Sequence, residues 1–110
     1  MDEYRIIITS DAEADLMELR NYISDVLLAK DTAKAYIQAV RKEIASLANM
    51  PARYKPVDEE PWHSLGIRKF IANNFYVYYR VDVTNMLVYV LNVIYARRDQ
   101  LRALEQITAE

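Results

Sequence analysis

Cysteine is missing from all 110 residues, which excludes disulfides and zinc–thiolate sites and suits a reducing compartment. The single histidine, His63, cannot build a multi-histidine metal centre. Proline occurs three times, always between Met50 and Ser64, and there is no repeat and no low-complexity tract. No run approaches the roughly 18 to 20 apolar residues of a membrane span. The N-terminus, MDEYRIIITSD, begins acidic and lacks the apolar segment of a secretory signal. A cytoplasmic protein with no membrane association, no metal and no cofactor is expected.

What is present is a core and a divided charge. With 53% hydrophobic residues, the chain has enough apolar material for one domain spanning residues 1–110. The net charge of −2 hides a segregation. Met1 to Asp31 holds Asp2, Glu3, Asp11, Glu13, Asp15, Glu18, Asp25 and Asp31 against Arg5, Arg20 and Lys30. Trp62 to Arg98 holds Arg68, Lys69, Arg80, Arg97 and Arg98 against Asp82 alone. The acidic half reads as a solvated helix face, and the basic half as a surface for nucleic acid or another polyanion.

Tyr4–Thr9 is short and β-branched, a strand. Ser10-Asp11-Ala12-Glu13 has capping-box spacing and opens a helix striped by Ala12, Leu16, Leu19, Ile23, Val26 and Leu27. Asp31 is placed to cap a second helix, striped by Ala33, Ile37, Val40, Ile44 and Leu47 and ended by Pro51. The short link from Ala29 to Asp31 predicts an antiparallel helix hairpin. Met50–Ser64 is a loop. Strands follow at about Leu65–Ala72, Asn74–Asp82 and Met86–Tyr95, with Asn73-Asn74 and Thr84-Asn85 supplying the positive φ of tight turns. Asp99 can cap a short C-terminal helix carrying Leu101, Leu104 and Ile107.

Two amphipathic helices cover one sheet face, so the fold class is two-layer α+β: an N-terminal strand, a helix hairpin, a three-strand antiparallel meander and a terminal helix. Alternation then sends Phe75, Val77, Tyr79 and Val81 toward the helices and Tyr76, Tyr78, Arg80 and Asp82 to the open face. Phe70 belongs in the core, which puts Lys69 on the open face and Arg68 at a core edge. The last strand is apolar on both faces and its parity stays open.

The order and spacing of YRIIIT, SDAEADL, IASLANMPARY, LGIRKFIANNFYVYYRVD and VLNVIYARRD resemble the RelE/ParE superfamily of type II toxins, also called plasmid-stabilisation proteins. The resemblance covers nearly the whole chain. It implies a growth-inhibiting toxin held silent by a cognate antitoxin, in a toxin–antitoxin hetero-oligomer. Two activities occur in that superfamily. RelE-like members are mRNA interferases, metal-independent endoribonucleases that cut mRNA on the ribosome. ParE-like members inhibit DNA gyrase without a nuclease centre. The RelE-like activity is the leading expectation and gyrase inhibition the alternative. Lys69 matches a functional lysine of RelE-like toxins, and Arg97 lies near the arginine closing their last strand. Tyr76 stands where those enzymes carry a catalytic arginine. The chain end, QLRALEQITAE, has no tyrosine or histidine to supply their late acid or base.

RNA cleavage by its own 2′-hydroxyl needs a base, cations for the phosphorane and an acid for the leaving oxygen. The candidate catalytic residues are Lys69, Tyr76, Tyr78 and Arg97, with Arg68, Arg80 and Arg98 as target-binding cations. Each has a plainer reading beside it. The tyrosines read first as packing a sheet or meeting a partner, and Arg97-Arg98 equally pair with Asp99 or Asp82. Arg68 reads first as snorkelling over core edges to a backbone carbonyl or the antitoxin. His63 beside Trp62 reads as structural, and Asp58-Glu59-Glu60 as a solvated acidic loop.

Overall fold

The β-branched run at the N-terminus forms β1 (Arg5–Ile8) in a computed structural model that describes residues 3–26, 30–72 and 75–95. Helix α1 (Ser10–Asn21) follows directly and continues into a π-helical turn, Tyr22–Val26. Its cap is Thr9, one residue ahead of the expected Ser10. The Thr9 hydroxyl accepts the Ala12 N–H at 3.3 Å and donates to the Val90 carbonyl at 2.8 Å. Thr9 wins because one hydroxyl both caps the helix and anchors its start to the sheet. Glu13 is thereby released from the capping box and takes a bidentate bond from Arg41, at 2.8 and 3.3 Å.

Arg41 lies near the end of α2 (Lys30–Ala45), so its bond to the start of α1 marks the two helices as antiparallel. Helix α2 starts before Asp31, which sits in its first turn, and gives way at Ser46–Ala48 to a 3₁₀ turn ahead of Pro51. The inner faces follow the two stripes. Ala12, Leu16, Ile23, Ala33, Ile37, Val40, Ile44 and Leu47 are buried. The link at 27–29 and the side chains of Val26 and Leu27 lie outside the described residues.

The meander consists of β2 (Arg68–Ala72), β3 (Phe75–Asp82) and β4 (Leu87–Tyr95). The order is β1-β4-β3-β2, with β1 parallel to β4 and the other pairs antiparallel. The sheet is therefore mixed. The long connection through both helices carries the chain from β1 to β2 at the far edge, and the antiparallel meander then brings β4 back beside β1.

The helix-side core joins Leu16, Val40, Ile44 and Leu47 to Phe70, Phe75, Val77, Tyr79, Val88, Val90 and Val93. The expected alternation on β2 and β3 holds. On β4, Leu91 has no opposite residue, because Tyr79 pairs with Val90 while Tyr78 pairs with Asn92. This bulge resolves the parity that sequence left open. Val88 and Val90 face the helices before it and Val93 faces them after it, while Leu91 and Ile94 join the other side.

At the β3–β4 turn the left-handed residue is Met86, φ 55°, and not the expected Asn85. Asn85 is occupied instead with Asp82, donating its N–H at 3.1 Å and its side-chain amide at 2.9 Å to the carboxylate. The Asn73-Asn74 turn and the C-terminal helix lie outside the described residues.

Candidate functional site: a cationic tyrosine face beside a tryptophan strap

Alternation places Lys69, Tyr76, Tyr78, Arg80 and Tyr89 on the sheet face away from the helices, but the loop before β2 does not leave that face bare. Val57, Trp62 and Ile67 fold across it and form a second core with Tyr78 and Ile94, flanked by Tyr76 and Leu91. We term residues 57–67 the strap. Its backbone is closed by Val57 N–H to the Ile67 carbonyl at 2.8 Å and Ile67 N–H to the Trp62 carbonyl at 3.1 Å. The His63 Nδ1–H donates to the Val57 carbonyl at 2.8 Å. The Glu60 carboxylate takes the Ser64 hydroxyl at 2.6 Å and its N–H at 2.8 Å, which holds that acid below the usual carboxylate range. The only glycine of the chain, Gly66, sits at φ +78° where the strap turns into β2.

The strap decides which candidates meet the outside. Tyr78 is fully buried beneath it, and burial, helped by the negative charge of Glu59, raises its phenol well above the ordinary value of 10.0. A phenol held neutral in this way is a poor proton acceptor near neutral pH. Lys69, opposite Tyr78 on β2, remains half-exposed. Its ammonium lies 4.7 Å from the centre of the Tyr76 ring, a cation–π arrangement. Arg80, a diagonal step from Lys69, turns the other way and sets its guanidinium 4.7 Å from the Tyr89 ring on β4. Among the described residues the face therefore carries two cation-on-tyrosine pairs rather than one convergent cluster. Asp82, the acid at its end, is held low by its Asn85 hydrogen bonds.

Arg68 belongs to the opposite side. Its guanidinium donates to the carbonyls of Ala52 and Tyr54, alongside the stacked Tyr54 and Phe70 rings. It fastens the segment after α2 to the sheet and is removed from the open face. Tyr79, the neighbour of Tyr78, is also buried and donates its hydroxyl to the Pro51 carbonyl at 2.6 Å. Arg97 and Arg98 lie outside the described residues.

Sequence reasoning missed four contributors. Tyr89 was hidden by the unassigned parity of β4. Trp62 and Val57 were read as loop, although large apolar residues at five-residue intervals with Ile67 were a signal that this loop covers something. Asp15 was counted with the solvated acids, yet its carboxylate accepts the Val93 N–H at 2.9 Å and the Asn92 amide at 3.2 Å.

The same architecture occurs in solved structures of low sequence identity. The chromosomal ParDE toxin–antitoxin system of P. aeruginosa contains a chain that aligns with a TM-score of 0.71 and 18% identity, over 86% of this chain and 98% of that one. The RelBE2 complex of Mycobacterium tuberculosis gives 0.64 and 24%, over 87% and 95%. A free E. coli RelE mutant gives 0.64 and 13%, over 96% and 98%. These likenesses establish the fold. Among curated proteins, no relative matches significantly. Residues 6–100 match the sequence family described as the ParE toxin of the type II toxin-antitoxin system parDE, and a match over that much of its length makes this chain a member of that family, a type II toxin of the ParE/RelE superfamily.

Proposed function

We propose that this toxin arrests growth by binding DNA gyrase through its cationic tyrosine face, without cleaving RNA, and that a cognate antitoxin silences it in a hetero-oligomer. The observation that carries this reading is the sealing of Tyr78. General acid–base cleavage of RNA needs a proton acceptor and a proton donor flanking the cations. Tyr78, the central phenol of the face, lies under Trp62 and Val57 with its hydroxyl held neutral. What the face offers is a surface for binding, with charge on aromatic platforms. The match to the ParE family supports the same reading. The antitoxin is supported by the neighbours themselves, several of which are toxin–antitoxin complexes. A cytoplasmic location and a plasmid-stabilising role follow from this reading. Among the described residues no helix is long and apolar enough to cross a membrane.

One observation favours the rival, ribosome-dependent mRNA cleavage: the Lys69 ammonium sits 4.7 Å from the centre of the Tyr76 ring, so a cation and a tyrosine do meet on this face. Purified toxin separates the two. Gyrase inhibition predicts loss of supercoiling and accumulation of cleaved DNA, with ribosome-bound mRNA intact. Cut mRNA with untouched supercoiling would reverse the assignment.

A further inference from the structure

Asp15 is built into the structure at a point where the sheet has lost a strand. Strand β1 pairs with β4 only as far as Ile8 and Val90, so β4 from Leu91 onward has no strand neighbour on that side among the described residues. The bulge at Leu91 falls at this boundary. A single oxygen of Asp15, reaching across from α1, accepts both the Val93 N–H and the Asn92 side-chain amide. Asn92 is itself a buried polar residue on a strand of apolar neighbours.

The bulge has a consequence on the far face. An unbroken alternation from Val88 and Val90 would send Asn92 and Ile94 toward the helices and Val93 away from them. With the extra residue, Val93 enters the helix-side core and Ile94 enters the strap core, against Val57, Trp62, Ile67 and Tyr78. A carboxylate on α1 thus holds the irregularity that supplies the strap with its floor. Burial disfavours the charge that Asp15 carries there, so the residue is not explained as a simple source of stability.

We infer that Asp15 is a positioning residue for the toxin's outer face: by clamping the Leu91–Asn92 bulge it sets Ile94 under Trp62, and thereby the strap beside Lys69 and Tyr76. The structural half of this inference holds whichever target the toxin has. The functional half rests on the reading that the tyrosine face meets that target.

Trp62 is the only tryptophan of the chain, so its fluorescence reports the strap core alone, across the sheet from Asp15. In the full-length protein, Asp15→Ala should shift Trp62 emission to the red and raise its quenching by acrylamide, while far-UV circular dichroism keeps the native shape. Asp15→Asn, whose amide oxygen still accepts both bonds, should restore the native spectrum. Asn92→Ala removes one bond, keeps the backbone one, and should give a smaller shift in the same direction, a second readout if Asp15→Ala does not fold. Toxicity on induction should fall with Asp15→Ala and return with Asp15→Asn. Native Trp62 emission in both folded alanine variants, or an equal shift in Asp15→Asn, would overturn the clamp. A shifted spectrum with unchanged toxicity would leave the clamp standing and overturn its link to the outer face. The gyrase reading is judged separately by the supercoiling assay.

Discussion

Tyr78 and Tyr79 are adjacent, both fully buried, and lie in different cores on opposite faces of one strand. Tyr79 points to the helices and fixes Pro51 through its hydroxyl, whose titration burial pushes up to about 12. Tyr78 lies under the strap. The pair shows how β3 holds the segment after α2 on one side and the strap on the other.

Tyr79→Phe keeps the ring and deletes the 2.6 Å bond to Pro51. It leaves a carbonyl at a buried residue without that donor, at a cost of about 1 to 3 kcal/mol. Urea denaturation at neutral pH should show the loss as a lower midpoint with an unchanged slope.

Two neighbours on α1 should separate packing from exposure. Leu16 is 1% exposed in the helix-side core and Met17 is 63% exposed. Leu16→Ala should cost about 2 to 5 kcal/mol, whereas Met17→Ala should stay within about 0.5 kcal/mol of the parent. Equal effects in chemical denaturation would contradict the assigned inner face of the helix.

The left-handed position of Gly66 predicts a backbone cost free of steric clash. A Cβ there meets nothing within 4 Å, yet φ is +78°. Gly66→Ala should therefore destabilise by about 1 to 2 kcal/mol through conformation alone, visible as a lowered thermal midpoint.

Two carboxylates on α1 should give stability slopes of opposite sign with pH. Burial raises Asp15 above 3.8, assisted by Glu18 and Asp11 and opposed by the Val93 N–H and the Asn92 amide. The folded state then holds the proton more tightly than the unfolded chain. Its contribution is present below 3.8 and lost as pH rises through the raised folded value. Glu13 is lowered by its bond to Arg41. Its contribution is present above 4.5 and lost as pH falls through the lowered folded value. That surface pair is worth at most about 1 kcal/mol. Comparing Asp15→Asn and Glu13→Gln with the parent across acidic pH should show the two signs.

On the outer face, Lys69→Ala and Arg80→Ala each remove a cation from a tyrosine ring, so each should cost only about 0.5 to 1 kcal/mol. Both proteins should fold, and both should be less toxic on induction. Full toxicity in the pair of folded variants would remove this face from the proposed function.

Much of the fold was legible from local pattern. The two helix stripes, the three later strands and the parity of β3 follow from periods of 3.6 and 2, which any buried face imposes on its own sequence. Lys69 and Tyr76 could be placed together on one face for the same reason. The cap at Thr9 could not be chosen over Ser10 from pattern alone, because the deciding partner is the carbonyl of Val90, 81 residues away. The direction of Arg68 was likewise settled by the carbonyls of Ala52 and Tyr54.

By itself the chain determined its layers, because alternation and helical spacing are written in neighbouring residues. Tertiary structure decided which tyrosine is sealed, where β4 slips its phase and which acid is drawn half-buried against the sheet edge. Those outcomes depend on the strap crossing β3 and on α1 meeting the end of β4, contacts between segments whose sequences carry no record of each other.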